Sequence, residues 1–317
     1  MRIKHIDILR GLAALMVTVF HLTGSTGISK TASIFGRYGS LGVQVFFVIS
    51  GFVLPYSLYK SGYQLKNFFS FLIKRIIRIH PAYIVAILIG IILAVAAHRK
   101  PITWDGALLH LVFLNTSFGY NDTSAVFWTL KIEFGFYILA ALLFSHIITS
   151  NYRSAILIIV ILILVLLNVA PLLIPWLTFF ALGILIFNKQ CCKMNPVLFW
   201  GMAVIITIVN LKVHGLAGTI AGSIAFLFIL FGKIEYFQKQ TGRVLLWLGM
   251  ISYSLYLVHW DIGRVVVGIS RHIPVIGNSE ALRVCAGVGA SIICAYGLYK
   301  LVERPSIKLA NKIEYKP

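Results

Sequence analysis

SAILIIVILILVLLNVAPLLIPWLTFFALGILIF (Ser154–Phe187) decides the fold. It contains no charged side chain, and about 20 apolar residues suffice for a helix to cross the hydrocarbon core of a bilayer. Pro171 and Pro175 punctuate the run, so it reads as two short spans rather than one long helix. The rest of the chain has the same character. Of its 317 residues, 59% are AVILMFWYC and 12% are charged, and the mean hydropathy is +0.92. That charge density is about half that of a soluble domain, which excludes a soluble globule. The apolar content equally excludes intrinsic disorder.

Apolar windows predict an all-α, polytopic transmembrane helical bundle of about ten spans, near 6 to 27, 38 to 59, 76 to 98, 125 to 148, 154 to 170, 172 to 188, 196 to 211, 214 to 232, 243 to 269 and 282 to 302. Nine or eleven spans are also compatible. With the N-terminus in the cytoplasm, 18 of the 28 Lys and Arg flank the inner side and 7 the outer, so both termini are expected in the cytoplasm. The net charge of +19 belongs to this bias, and no nucleic-acid partner is expected. The first apolar run holds Asp7, Arg10 and His21 and has no small-residue cleavage site, so it reads as a retained helix. ALLHLVFL, inside the longest connection, reads as a short re-entrant helix, and GTIAG (Gly218–Gly222) as a close-packing GxxxG. No linker or repeat divides the chain, which is treated as one domain over 1–317. Cys191 and Cys192 are vicinal and Cys285 and Cys294 share one segment, so none is expected to bridge.

Ionisable groups inside spans cost at least a few kcal/mol and mark functional candidates. Arg10 and His21 are eleven positions apart. At 3.6 residues per turn they fall on one helical stripe about 16 Å apart, a spacing able to line one channel. Arg10 can also snorkel to the inner headgroups. Glu133 and Tyr137, four apart, share a face with a carboxylate that needs a partner or a proton. Counted from the predicted span ends, Glu133, His259 and His21 lie about 12, 15 and 9 Å below the outer boundary. One layer is therefore expected, with Glu133 in direct or one-water reach of His21. Asp261 and Arg264, three apart, are expected to pair, and Lys131 to snorkel. Arg75 and Arg78 project together at the inner mouth of the third span, where guanidinium forks can grip phosphate. No metal site is expected, because the histidines lack clustered ligand spacing.

These segments together resemble the acyltransferase 3 family, integral-membrane acyltransferases that modify cell-surface glycans. RGLAALMVTVFH resembles its first-span signature, GVQVFFVISGFVL its second-span motif and KRIIRIHPAY its RxxR motif. WTLKIEFGFY is similar to its WSL-x-VE-x-x-FY pattern, ISYSLYLVH to a late-span motif and YKLVERP to its E-R-P ending. Lys131 replaces a usual small or polar residue, and Phe134 stands where a second acid is frequent. No esterase-like domain follows the last span, so the resemblance implies a stand-alone member.

The resemblance implies a membrane-embedded O-acyltransferase of the bacterial inner membrane. It would transfer an acyl group, expected to be acetyl, from cytoplasmic acetyl-CoA to a hydroxyl of a polysaccharide, lipopolysaccharide or lipid-linked sugar. No permanently bound cofactor is implied. Arg10, Arg75 and Arg78 would hold the donor phosphates. His21 would act as general base or transient acyl carrier, with Glu133 orienting its ring. Trp128, Tyr137 and His259 are candidates to contact the acceptor or to support the catalytic pair. The rival class is a transporter or flippase for an anionic or sugar-lipid substrate, which also needs buried Arg, His and Glu. The absence of an internal repeat and of paired discontinuous helices counts against it.

Overall fold

Each apolar window folds as helix in the computed structural model, which describes residues 3–24, 38–98, 103–170, 173–232 and 240–315. The elements are α1 (Lys4–Gly24), α2 (Gly42–Lys60), α3 (Phe68–Ala96), α4 (Trp104–Leu111), α5 (Trp128–Thr149), α6 (Asn151–Leu166), α7 (Leu177–Cys191), α8 (Pro196–Phe231), α9 (Gln240–Ser270), α10 (Glu280–Leu298) and α11 (Arg304–Ala310). A π-helical turn, Tyr299–Glu303, joins the last two. No strand occurs among the described residues. Among the described residues, seven helical stretches are long and apolar enough to cross a membrane. Leu88, Ile92, Ile156, Ile208, Ile293 and Leu301 are exposed apolar side chains, as a lipid-facing perimeter requires.

The Ser154–Phe187 stretch divides between two helices, α6 and α7, with Pro175 at the break. Pro175 sits in a 3-10 turn, Ile174–Trp176, that leads into the buried α7. Pro171 and the ends of the first window, 25 to 27, lie outside the described residues. α8 turns back on itself at Gly215, whose φ of 69° and ψ of −179° interrupt the helix. Phe199 and Phe226 stack at 5.7 Å across that turn. In a straight helix they would be about 40 Å apart, so 196–214 and 216–231 are antiparallel arms. The positive φ is one that glycine adopts without steric cost. Farther along, Gly222 of the predicted GxxxG rests on the Phe179 ring.

α1 and α9 run side by side in the same direction, with Gly249 meeting the first turns of α1 and Gly263 meeting Leu22 near its end. This alignment brings His21 and His259 to the same level. It depends on close backbone approach: a Cβ at Gly11 would lie 2.7 Å from the Gly249 nitrogen, and one at Gly249 would strike the Asp7 carbonyl. Backbone atoms cannot rotate away. Gly249→Ala is expected to cost about 1–3 kcal/mol through overpacking, read as a lowered melting temperature in detergent. An unchanged melting temperature would mean that the helices part freely.

The hydrophobic interior forms two clusters. One joins α2 with α5 to α8, and the other joins α1, α3, the start of α5 and α9. Val43, Phe46 and Phe134 pack against both, and the central cavity opens between them. The predicted re-entrant segment fills the space beside α3. His80 hydrogen-bonds the Leu111 carbonyl at 2.8 Å, and the fully buried His110 meets Tyr83 Oη at 3.3 Å.

Candidate active site

The central cavity collects cations from helices far apart in sequence. α1 supplies Arg10, and α3 supplies Arg75 and Arg78 one turn apart on one face. The void, including its space open to solvent, is about 1130 Å³. Arg78 is exposed, and it lines the cavity. Arg75 lies 5.1 Å over the Tyr137 ring and 5.3 Å over Phe71, a stacking that fixes its plane. Among the described residues, none of the three guanidinium groups makes an ion pair or hydrogen bond. Three guanidinium forks around one void, each without an ion pair, suit a polyanionic ligand.

Two carboxylates share the cavity. Glu133 Oε1 accepts hydrogen bonds from Tyr137 Oη at 2.5 Å and from Ser50 Oγ at 2.7 Å. Glu303 Oε2 accepts one from Ser254 Oγ at 2.5 Å. The π turn ends at Glu303 and turns it into the cavity wall, in keeping with the frequency of such turns at functional sites. Glu303 went unassigned at the sequence level. The available signal was a lone carboxylate in the last apolar segment, within YKLVERP. Ser50, Ser252 and Tyr253 also line the cavity and carried no signal beyond being polar in apolar helices.

The histidine site lies farther along α1 and α9. His21 Nδ1 and His259 Nε2 are 2.8 Å apart, with their rings nearly parallel at 12°. His259 is completely buried, and its Nδ1 is 2.8 Å from the Tyr256 carbonyl and 3.0 Å from that of Leu255. Carbonyls only accept, so Nδ1 of His259 carries the proton and its Nε2 offers a lone pair. His21 Nδ1 then donates to that lone pair. The Nε2 of His21 is left as a free basic nitrogen. Trp260 meets the His21 ring nearly perpendicularly at 4.9 Å.

Three sequence expectations are corrected. Glu133 lines the arginine cavity and bonds Ser50 and Tyr137, while the hydrogen bond to His21 comes from His259. The cavity lining reaches Thr129 and Tyr256 but does not include His21. Tyr256 Oη is held by Thr129 Oγ1 at 2.7 Å and by the Val126 carbonyl at 3.0 Å, which fixes its ring between the two sites. Asp261 and Arg264 form no ion pair, because Arg264 stacks 4.5 Å over Trp260, its neighbour one turn back. Lys131 pairs with Asp122 at 2.6 Å rather than reaching for headgroups. Trp128 packs against Trp176 at 5.2 Å and does not line the cavity, whereas Tyr137 does. All four cysteines are free.

The profile of an acyltransferase domain family, acyltransferase 3, matches residues 3–300. Over 135 residues the chain is 34% identical to a protein of Acidianus two-tailed virus named as an acetyltransferase, a match covering 43% of this chain and 39% of that protein. Over 156 residues it is 30% identical to a peptidoglycan O-acetyltransferase of Listeria monocytogenes, covering 43% of this chain and 23% of that one. The match thus spans well under half the length of either curated relative. No solved structure matches the chain.

Proposed function

The chain belongs to the acyltransferase 3 family, and from that premise we propose that it is an O-acyltransferase that moves an acetyl group from cytoplasmic acetyl-CoA to a hydroxyl of a surface polysaccharide, lipopolysaccharide or lipid-linked sugar. Its place would be the bacterial inner membrane, with the arginine end towards the cytoplasm. The observation that carries this reading is the pairing, along one stripe of α1, of Arg10, which shares its cavity with Arg75 and Arg78, and a hydrogen-bonded histidine about 16 Å farther on. Arg10, Arg75 and Arg78 hold the donor phosphates, because planar guanidinium forks match phosphate oxygens. In this reading the thioester arm extends from the arginines towards His21, on the side where the Phe46 and Tyr256 rings pack edge to face at 6.0 Å.

At His21, Nε2 removes the proton of the acceptor hydroxyl as its oxygen attacks the thioester carbonyl carbon. The new C–O bond forms, the C–S bond breaks, and the departing thiolate takes the proton back from the imidazolium. The products are an O-acetyl ester and CoA thiol, and His21 is regenerated. While the imidazolium exists, its Nδ1–H bond to His259 is charge-assisted and correspondingly stronger. Glu133 serves the donor cavity in this scheme, bracing Tyr137 beneath Arg75.

The test changes geometry and keeps charge. Replacing both Arg75 and Arg78 by lysine removes the planar forks, and the dissociation constant for acetyl-CoA is expected to rise roughly tenfold or more, about 1.4 kcal/mol. Equal affinity in wild type and the double variant would reduce the pair to topology determinants. Acetyl-CoA binding with no release of CoA thiol in membranes that contain the acceptor would instead favour the transporter or flippase.

A further inference from the structure

A second cavity, lined by Gly90, Thr123, Trp260, Asp261 and Arg264, lies beyond the histidine pair. Two helices fix its position. On α9 the chain passes from Tyr253 and Tyr256 in the arginine cavity, through His259, to Trp260, Asp261 and Arg264 in the second. On α3 it passes from Arg78 to Gly90, a rise of about 18 Å. The histidine pair therefore stands between two separate voids. Trp260 belongs to both neighbourhoods, since it lines the second cavity and touches the His21 ring.

Two residues that line this cavity carry polar atoms without a hydrogen bond of normal geometry, Asp261 Oδ2 and Thr123 Oγ1, and Ser124 Oγ beside them is in the same state. Ser124 approaches Asp261, but neither completes a bond of normal geometry. Buried polar atoms without partners are rare and call for an explanation. Asp261 Oδ2 and the Thr123 side chain face Gly90, where a Cβ would stand 4.0 and 3.8 Å from them, so the missing side chain is part of the void. Arg264 adds a guanidinium that stacks on Trp260 and makes no direct ion pair with Asp261, although the two charges are near enough to interact. A carboxylate and a guanidinium on one wall oppose both a lone anion and a lone cation. Hydroxyls, which donate and accept, suit both groups.

We propose that this cavity binds the acceptor as a polyhydroxylated sugar residue, with its hydroxyls on Asp261, Thr123 and Arg264 and its reacting hydroxyl delivered past Trp260 to His21. The proposal rests on the acyltransferase reading. It assigns the acceptor to the face of the histidine pair opposite the donor, so the two substrates meet at His21 from two cavities. With an empty volume of about 750 Å³, mouth included, the cavity has room for a sugar ring.

The experiment uses membranes of the producing cells, which contain their own glycans, with acetyl-labelled acetyl-CoA, and follows label in the glycan fraction. Acetyl-CoA affinity is measured in parallel on purified protein. Gly90→Leu fills the cavity, since its Cβ meets nothing closer than 3.8 Å, and Asp261→Asn removes the charge with little change in shape. Both are expected to lower label in the glycan about tenfold or more, as loss of a hydrogen bond to a charged group does, with donor affinity within about twofold of wild type. If Gly90→Leu does not accumulate, the near-isosteric Asp261→Asn carries the test. Wild-type labelling in the variants would remove the acceptor from this cavity while leaving the acyltransferase reading intact. Donor binding by the wild type with no label in any glycan would overturn that reading, and this proposal with it.

Discussion

Replacing His21 with alanine is expected to lower acetyl transfer by about two to four orders of magnitude, the usual share of a positioned general base. Acetyl-CoA should still bind with nearly wild-type affinity, because the arginine cavity does not include His21. The protein should also accumulate normally. The His21 side chain is only partly buried, so its truncation opens no large void in the two hydrophobic clusters, neither of which includes it. The measurement is CoA thiol release in membranes containing the acceptor, beside donor affinity and protein amount. Full transfer in a well-expressed variant would exclude His21 from the chemistry. A variant that had also lost donor binding would instead point to a structural role for the ring.

Much of this site was legible in the sequence because α1 is a straight helix. The eleven-residue interval between Arg10 and His21 fixes both a shared stripe and a distance, and no tertiary information is needed. The division of α8 was equally visible, since the windows 196 to 211 and 214 to 232 meet beside Gly215. Glu133 was not legible, and the reason is a reference level. Counting inward from the start of α5 assumes that this start lies at the membrane boundary. The segment before it dips into the bundle, where Leu111 bonds to His80, two residues past Arg78. α5 therefore begins at depth, and Glu133 falls beside the arginines. The Asp261 and Arg264 pair failed for a different reason. Helical spacing permits i,i+3 and i,i+4 partners alike, and Arg264 took the aromatic ring at i−4.

The partnership of His259 with His21 could not be read from either helix alone, since it follows from the backbone contact of Gly11 with Gly249 that sets α1 against α9. Its consequence is specific. His259 presents an acceptor to His21 Nδ1–H only because its own Nδ1–H is engaged by the Leu255 and Tyr256 carbonyls. Removing that acceptor frees the His21 ring to rotate or to move its proton to Nε2, where it would block the base. His259→Phe, which keeps a ring and loses the acceptor, is expected to lower kcat by about a hundredfold, within the range of general-base effects, with the KM for acetyl-CoA nearly unchanged. His259→Gln, whose carbonyl oxygen can accept the same hydrogen bond, should recover part of that loss. Glu133→Gln should show the opposite split. It weakens the acceptor that braces Tyr137 under Arg75, so the KM for the donor rises while kcat falls little. Purely structural damage at residue 259 would lower protein stability and affect Phe and Gln alike. Wild-type kcat in His259→Phe, or a kcat collapse in Glu133→Gln at unchanged KM, would return the orienting role to the carboxylate.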